Sequence, residues 1–203
     1  MNLDDLITNQ SISPDGADVL RIIARRQQSF LVHALPRQAG KTTVVQAILA
    51  EVPPNVARHE FYGTKQEIAN LSAAPMPGYL VVAEIGHRGR PGYLAGDEVP
   101  PVFDLLSSGY SLASSLHADT VEQVFDVLAA NGVPPAVAAS VPYLIKVGML
   151  KNDAGTHVRR VVDEIHEITT SDSGEPSATL LYSWDGETAG ARSSWTEELQ
   201  HGH

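Results

Sequence analysis

The chain has no cysteine among its 203 residues. A disulfide scaffold is excluded, and so is a cysteine-ligated zinc site. Positive charge is also scarce: 14 Lys and Arg stand against 24 Asp and Glu, a net charge of −10. Affinity for nucleic acid comes mostly from neutralising phosphates with Lys and Arg, so no nucleic-acid partner is expected. No apolar stretch approaches the ~20 residues needed to span a bilayer. The acidic N-terminus lacks the charged and apolar regions of a secretory signal. A cytoplasmic protein without direct membrane insertion is expected. There is no internal repeat and no low-complexity segment. What is present is ordinary for a globular chain: 43% hydrophobic residues, in a length that suits one large domain or two small ones.

The pattern along the chain predicts alternating helices and strands. Residues 1–28 read as two short helices, the second opened by Ser13-Pro14-Asp15. A strand follows over 29–34, then a loop, then a helix to about Glu51, ended by Pro53-Pro54. Arg58 to Tyr62 reads as a short strand and Lys65 to Leu71 as a short helix or turn. Tyr79 to Ala83 is a continuous apolar run ending in Glu84, the signature of a strand buried on both faces. Residues 86–100 are rich in Gly and Pro and read as a loop; Val102 to Ser108 reads as a helix. Tyr110 to Leu116 alternates like a strand, and Thr120 with Gln123 looks like a capping box for a helix to Ala130. This alternation argues for an α/β fold with a parallel sheet. After Pro134 a helix is expected over Ala136–Leu144. Strands are expected over Ile145–Leu150, His157–Thr169 and Thr179–Trp184, with turns at 152–155 and 171–177. The domain is expected to span 1–188, and residues 189–203 to form a mobile tail.

Residues 36–43 carry the sharpest signal. Pro36-Arg37-Gln38-Ala39-Gly40-Lys41-Thr42-Thr43 lies between the apolar run Phe30-Leu31-Val32 and the amphipathic run from Val44 to Leu49. That is the back half of a phosphate-binding loop in a strand–loop–helix setting. Such a turn aims backbone N–H groups, a helix N-terminus and the Lys41 ammonium at one point, which suits a polyphosphate. Lys41 is the candidate for the terminal phosphates and Thr42 for Mg²⁺. The front half departs from the pattern, with Leu35 where the first glycine belongs.

Two further residues stand at the ends of strands, where open α/β sheets place their ligands. Glu84 follows the run Tyr79–Ala83, and His117 follows Tyr110–Leu116. Read alone, each is better explained by an ordinary residue, a solvated strand-end acid for Glu84 and a loop histidine near a helix cap for His117.

Order along the chain connects these features. The segment Phe103–Asp119, with Ser115-Leu116-His117-Ala118-Asp119 at its end, resembles the histidine box of the type II/type IV secretion and pilus motor ATPases. Met76-Pro77-Gly78 with the strand to Glu84 resembles that family's Walker B segment. Arg58-His59-Glu60 with Glu67-Ile68 resembles its aspartate box, and Glu60 takes the place of the first acid. Val158–Ile168 is similar to the family's Arg-Arg-Val strand, and Leu3-Asp4-Asp5-Leu6 to the start of its motor domain.

The resemblance implies a RecA-like P-loop core with a mainly parallel sheet and a C-terminal antiparallel extension. It implies ATP and Mg²⁺ as cofactors. Glu84 would be the catalytic glutamate and a metal ligand, and His117 the phosphate-sensing histidine. Pro36 to Thr43, with Glu60, would bind nucleotide. It implies a homo-oligomer, in the family a hexameric ring, and secretion or pilus machinery as partners holding the chain at the inner face of the membrane.

The departures from the family pattern are also specific. Leu35 and Gln38 replace glycines, Phe61 and Gly78 replace aspartates, and Ala83 replaces the glycine beside Glu84. Leu71 to Pro75 contains no arginine, and Arg88 is the stand-in for the arginine expected after Glu84. The family's N-terminal arginine-bearing domain is not found in this sequence. The expectation is therefore a motor-type domain that hydrolyses ATP slowly if at all. The alternative is a degenerate nucleotide-binding or assembly subunit, and a small-molecule kinase is a third reading.

Overall fold

A computed structural model of the chain describes residues 1–35, 38–73, 76–86, 90–151, 157–171 and 175–185. Two short helices open it, α1 (Leu3–Thr8) and α2 (Pro14–Arg25). Their starts are set by capping chemistry. The Asn2 side chain accepts from the Asp5 N–H, and Asp5 reciprocates on the Asn2 N–H. Ser13 accepts from the Gly16 N–H, with Pro14 in the first helical turn, where its missing N–H costs nothing. Then come β1 (Phe30–His33), α3 (Lys41–Ala50), β2 (Ala57–Glu60), α4 (Lys65–Ala73) and β3 (Gly78–Val81). Two short strands follow, β4 (Glu84–Ile85) and β5 (Tyr93–Leu94), then α5 (Pro100–Leu106) and β6 (Ser111–Leu116). The rest is α6 (Val121–Ala130), α7 (Pro135–Ala138), β7 (Tyr143–Lys151), β8 (His157–Thr170) and β9 (Pro176–Ser183).

The sheet runs β2-β3-β6-β1-β7-β8-β9. The pairs from β2 to β7 are parallel; β7–β8 and β8–β9 are antiparallel. Side chains of successive strand residues point to opposite faces, and two cores form accordingly. Phe30, Val32, Tyr79 and Ile145 face α1, α2 and α3. Leu31, Leu80, Leu112 and Leu144 face α5 and α6, with α4 contributing half-buried Ile68 and Leu71. The result is a three-layer α/β fold with a mostly parallel central sheet and an antiparallel C-terminal extension, as the sequence led one to expect. Among the described residues, no helix is long and apolar enough to cross a membrane.

Several local expectations are corrected. The run at 79–84 is not one strand: β3 stops at Val81, and Glu84 opens β4, which pairs with β5 and β6. The segment 86–100 is therefore not only loop, since β5 and a 3-10 turn over Gly96–Glu98 lie in it. β6 is buried along nearly its whole length rather than alternating, because helices cover both faces. The helix expected to reach Leu144 ends at Ala138, and Tyr143 and Leu144 pair with Phe30 and Leu31 of β1. Thr120 caps α6 through the Gln123 N–H, but the Gln123 side chain accepts from the Asp119 N–H, so the box is not closed. The expected turn at 152–155, the stretch 172–174 of that at 171–177, and the tail 189–203 lie outside the described residues.

Candidate functional site

The parallel strands deliver three candidate residues to one end of the sheet. β1 leads into the loop before α3 and then into α3, β3 leads to β4, and β6 leads to His117. β1 and β6 are neighbours, yet α3 packs on one face and α6 on the other. A crevice at such a divergence is where open α/β sheets bind ligands.

Lys41, Glu84 and His117 meet there. The Lys41 ammonium lies 3.6 Å from Glu84 Oε2, and 3.4 and 3.5 Å from the two ring nitrogens of His117. His117 Nε2 stands 3.3 Å from Glu84 Oε1, and its Nδ1 lies 3.3 Å from the Leu35 carbonyl oxygen. Lys41 and Glu84 are buried. An ionic pair out of water is retained only with good geometry and further hydrogen bonds, and His117 supplies one such contact.

Backbone contacts fix each member. Gly40 caps α3 with φ of 100°, the left-handed region that glycine enters without strain. Gln38 also has positive φ, 62°. Among the described residues of the loop, Leu35 is not a positive-φ residue, and Gln38 is the non-glycine one that is. Glu84 is held by its neighbours: the Ala83 N–H donates to the Gly92 carbonyl at 2.9 Å, and the Gly86 N–H to that of Leu94 at 2.8 Å. Ser115 on β6 donates its hydroxyl to the Ala83 carbonyl at 3.0 Å. The His117 segment is tied to β1 by His33, a fully buried residue whose Nδ1 lies 3.2 Å from the Ala118 carbonyl oxygen. His33 Nε2 has no partner among the described residues. Burial pushes this imidazole down to about 4.

These groups open onto a cavity of about 910 Å³. Gln38, Ala39, Gly40, Lys41, Thr42 and Thr43 line it, together with Glu84 and His117. Thr42 is exposed on the first turn of α3. Pro36 and Arg37 lie outside the described residues, as does Arg88. Glu60 is not brought in: it sits exposed on edge strand β2 and does not line the cavity. Two of the positions that depart from the expected pattern, Phe61 and Gly78, serve packing. Phe61 is buried in the core beside Leu80 and Val82. At Gly78 a Cβ would collide with the Ala57 carbonyl on the paired strand, so the position admits no side chain.

Arg90, Tyr93, Arg159 and Arg160 also line the cavity, although nothing in the sequence assigned them to the site. The signal for Arg159 and Arg160 was the Arg-Arg step near the start of the long strand, and for Tyr93 its place after a glycine in an otherwise irregular segment; Arg90 carried none.

The donor chemistry suits a nucleotide polyphosphate with Mg²⁺. The cavity offers an ammonium, the amides of a helix N-terminus and hard oxygen donors on Thr42 and Glu84. Mg²⁺ takes one or two protein oxygens and fills its sphere with waters and phosphates.

No protein-family model matches the chain, and a search of curated proteins finds no match. Solved structures do match. The VirB11 ATPase from the Brucella suis type IV secretion system, in complex with sulphate, aligns with a TM-score of 0.58 at 16% identity, over 81% of this chain and 55% of that one. The Legionella pneumophila ATPase DotB aligns with a TM-score of 0.53 at 11% identity, over 77% of this chain and 50% of that one. The chain thus spans about half the length of the proteins it matches. At these identities the likeness shows the fold. That fold is the mostly parallel α/β fold shared with these two ATPase structures, and it agrees with the fold that the resemblance read from the sequence implied.

Proposed function

We propose that this chain is an Mg-ATP-binding motor-type domain related to the secretion and pilus assembly ATPases, and that it binds nucleotide more firmly than it turns it over. The observation that carries this is the meeting of Lys41 at the start of α3, Glu84 at the start of β4 and His117 just past β6. Lys41 neutralises charge on the outer phosphates, and the N–H groups of the first turn donate to their oxygens. Glu84 orients water against the terminal phosphate, and His117 contacts the oxygens of that phosphate. Phosphoryl transfer asks mainly for such positioning and charge stabilisation. Thr42 and Glu84 are the residues that would hold Mg²⁺, which supplies neutralising charge between the phosphates when bound. By the same resemblance we assign a homo-oligomer, in ring form, acting with secretion or pilus machinery on the cytoplasmic side of a membrane.

Slow turnover follows from the departures. A non-glycine residue in the left-handed region costs about 1–2 kcal/mol, and Gln38 pays it within the phosphate loop itself. Gly78 leaves no room for the acid that the family pattern carries, and Phe61 puts a buried apolar ring in the place of the other. These same facts favour a second reading, a non-catalytic assembly or regulatory subunit that retains the nucleotide site. Steady phosphate release separates the two. Release by the wild type that Glu84→Gln abolishes supports the enzyme. Nucleotide binding with no release selects the second reading.

A further inference from the structure

We infer that Arg160 is a phosphate-binding residue of this site, supplied by the chain's own C-terminal hairpin. This rests on the nucleotide-binding reading. The register of the sheet brings the residue there. β7 runs parallel to β1, with His33 opposite Lys146, and Val147 to Lys151 continue past the end of β1. β8 returns antiparallel, with Arg160 opposite Met149. The first part of β8 therefore overhangs the loop that β1 releases.

The approach is close. A Cβ placed on Gly40 would stand 3.3 Å from Arg160 Cδ, so the arginine stem lies against the cap of α3. The guanidinium begins one bond further on. It lines the same cavity as Lys41 and Thr42, and the Arg160 side chain is exposed to it. Among the described residues, no carboxylate lies within ion-pairing distance of Arg159 or Arg160. In a chain of net charge −10 that is a conspicuous choice of surroundings. Arginine presents a planar fork that matches two phosphate oxygens at once, which lysine does not. Gly40 then lies between two cations, Lys41 following it in the helix and Arg160 packed against it from the strand. The outer phosphates of a nucleoside di- or triphosphate are the chemistry this pair fits.

The test is calorimetric titration of the full chain with MgATP, MgADP and AMP, comparing wild type with Arg160→Ala, Arg160→Gln and Arg160→Lys. A hydrogen bond to a charged partner predicts that Arg160→Ala and Arg160→Gln weaken MgATP and MgADP about ten- to hundredfold. AMP, without outer phosphates, changes less than about threefold, and Arg160→Lys recovers part of the loss. Arg160→Ala and Arg160→Gln that bind MgATP within twofold of a binding wild type overturn the inference and leave the nucleotide reading standing. Equal losses for AMP and MgATP overturn the phosphate role. A wild type that binds no MgATP overturns both.

Discussion

The Lys41 ammonium and the Glu84 carboxylate stand 3.6 Å apart with each residue only 7% exposed. A buried carboxylate depends on its counter-charge, since an unpaired charge out of water is costly. Lys41→Met should therefore destabilise the fold by about 3 kcal/mol, somewhat relieved by His117. The double variant Lys41→Met/Glu84→Gln should recover about 1 kcal/mol or more of that loss. Urea unfolding of the two variants checks this. Additive losses would mean that the pair is not coupled.

His33 predicts a pH dependence. Its folded-state value, about 4, lies below the ordinary 6.5, chiefly because burial disfavours the charged ring. The hydrogen bond to Ala118 opposes that shift, and the Lys146 and His166 charges add to it. The unfolded chain therefore binds the proton more readily. Its contribution is complete above about pH 6.5 and is lost as pH falls towards 4, on the order of 3 kcal/mol in all. His33→Asn keeps a donor for the Ala118 carbonyl and removes the titration. Unfolding free energies measured from pH 7 to 4 should fall more steeply for wild type; parallel slopes would contradict the assignment.

Gln38 carries positive φ where glycine is the ordinary choice. Gln38→Gly relieves strain but adds entropy to the unfolded chain, so the net gain is at most about 1 kcal/mol. Gln38→Val, β-branched, should lose about 1–2 kcal/mol. If the strain limits the site, Gln38→Gly also tightens MgATP binding by fluorescence titration. Identical melting midpoints for the glycine and valine variants would rule the strain out.

Gly78 makes a less intuitive prediction. The family pattern has aspartate there, yet restoring it by Gly78→Asp should damage the protein. The new Cβ meets the Ala57 carbonyl, so β2 must move away from β3. A loss of about 3 kcal/mol or more is expected, with Gly78→Ala nearly as costly. Thermal denaturation is the readout. A Gly78→Asp protein of wild-type stability would show that the strands separate freely.

The sequence made the site's core legible because strand ends in a parallel sheet are marked by local pattern. Lys41 follows an apolar run through a glycine cap, and Glu84 and His117 each end an apolar run. Three strand ends can be read without knowing how the strands pair. The arginines could not be read this way. Arg160 reaches Gly40 through the register of two strand pairs, and register is a property of the assembled sheet. The break between β3 and β4 was hidden for a related reason. Val82 and Ala83 are as apolar as the strand before them, and what turns the chain out of the ladder is the hydrogen bond from the Ala83 N–H to the Gly92 carbonyl of the following segment. The helix expected through Leu144 failed because pairing with β1 outweighs local propensity at Tyr143 and Leu144.

The most direct test of the account is calorimetric titration of the chain with MgATP, beside Lys41→Ala. The account predicts saturable binding by wild type below millimolar concentration, weakened at least tenfold by Lys41→Ala. Absence of binding by wild type at millimolar MgATP, or equal affinity in the two proteins, would contradict it.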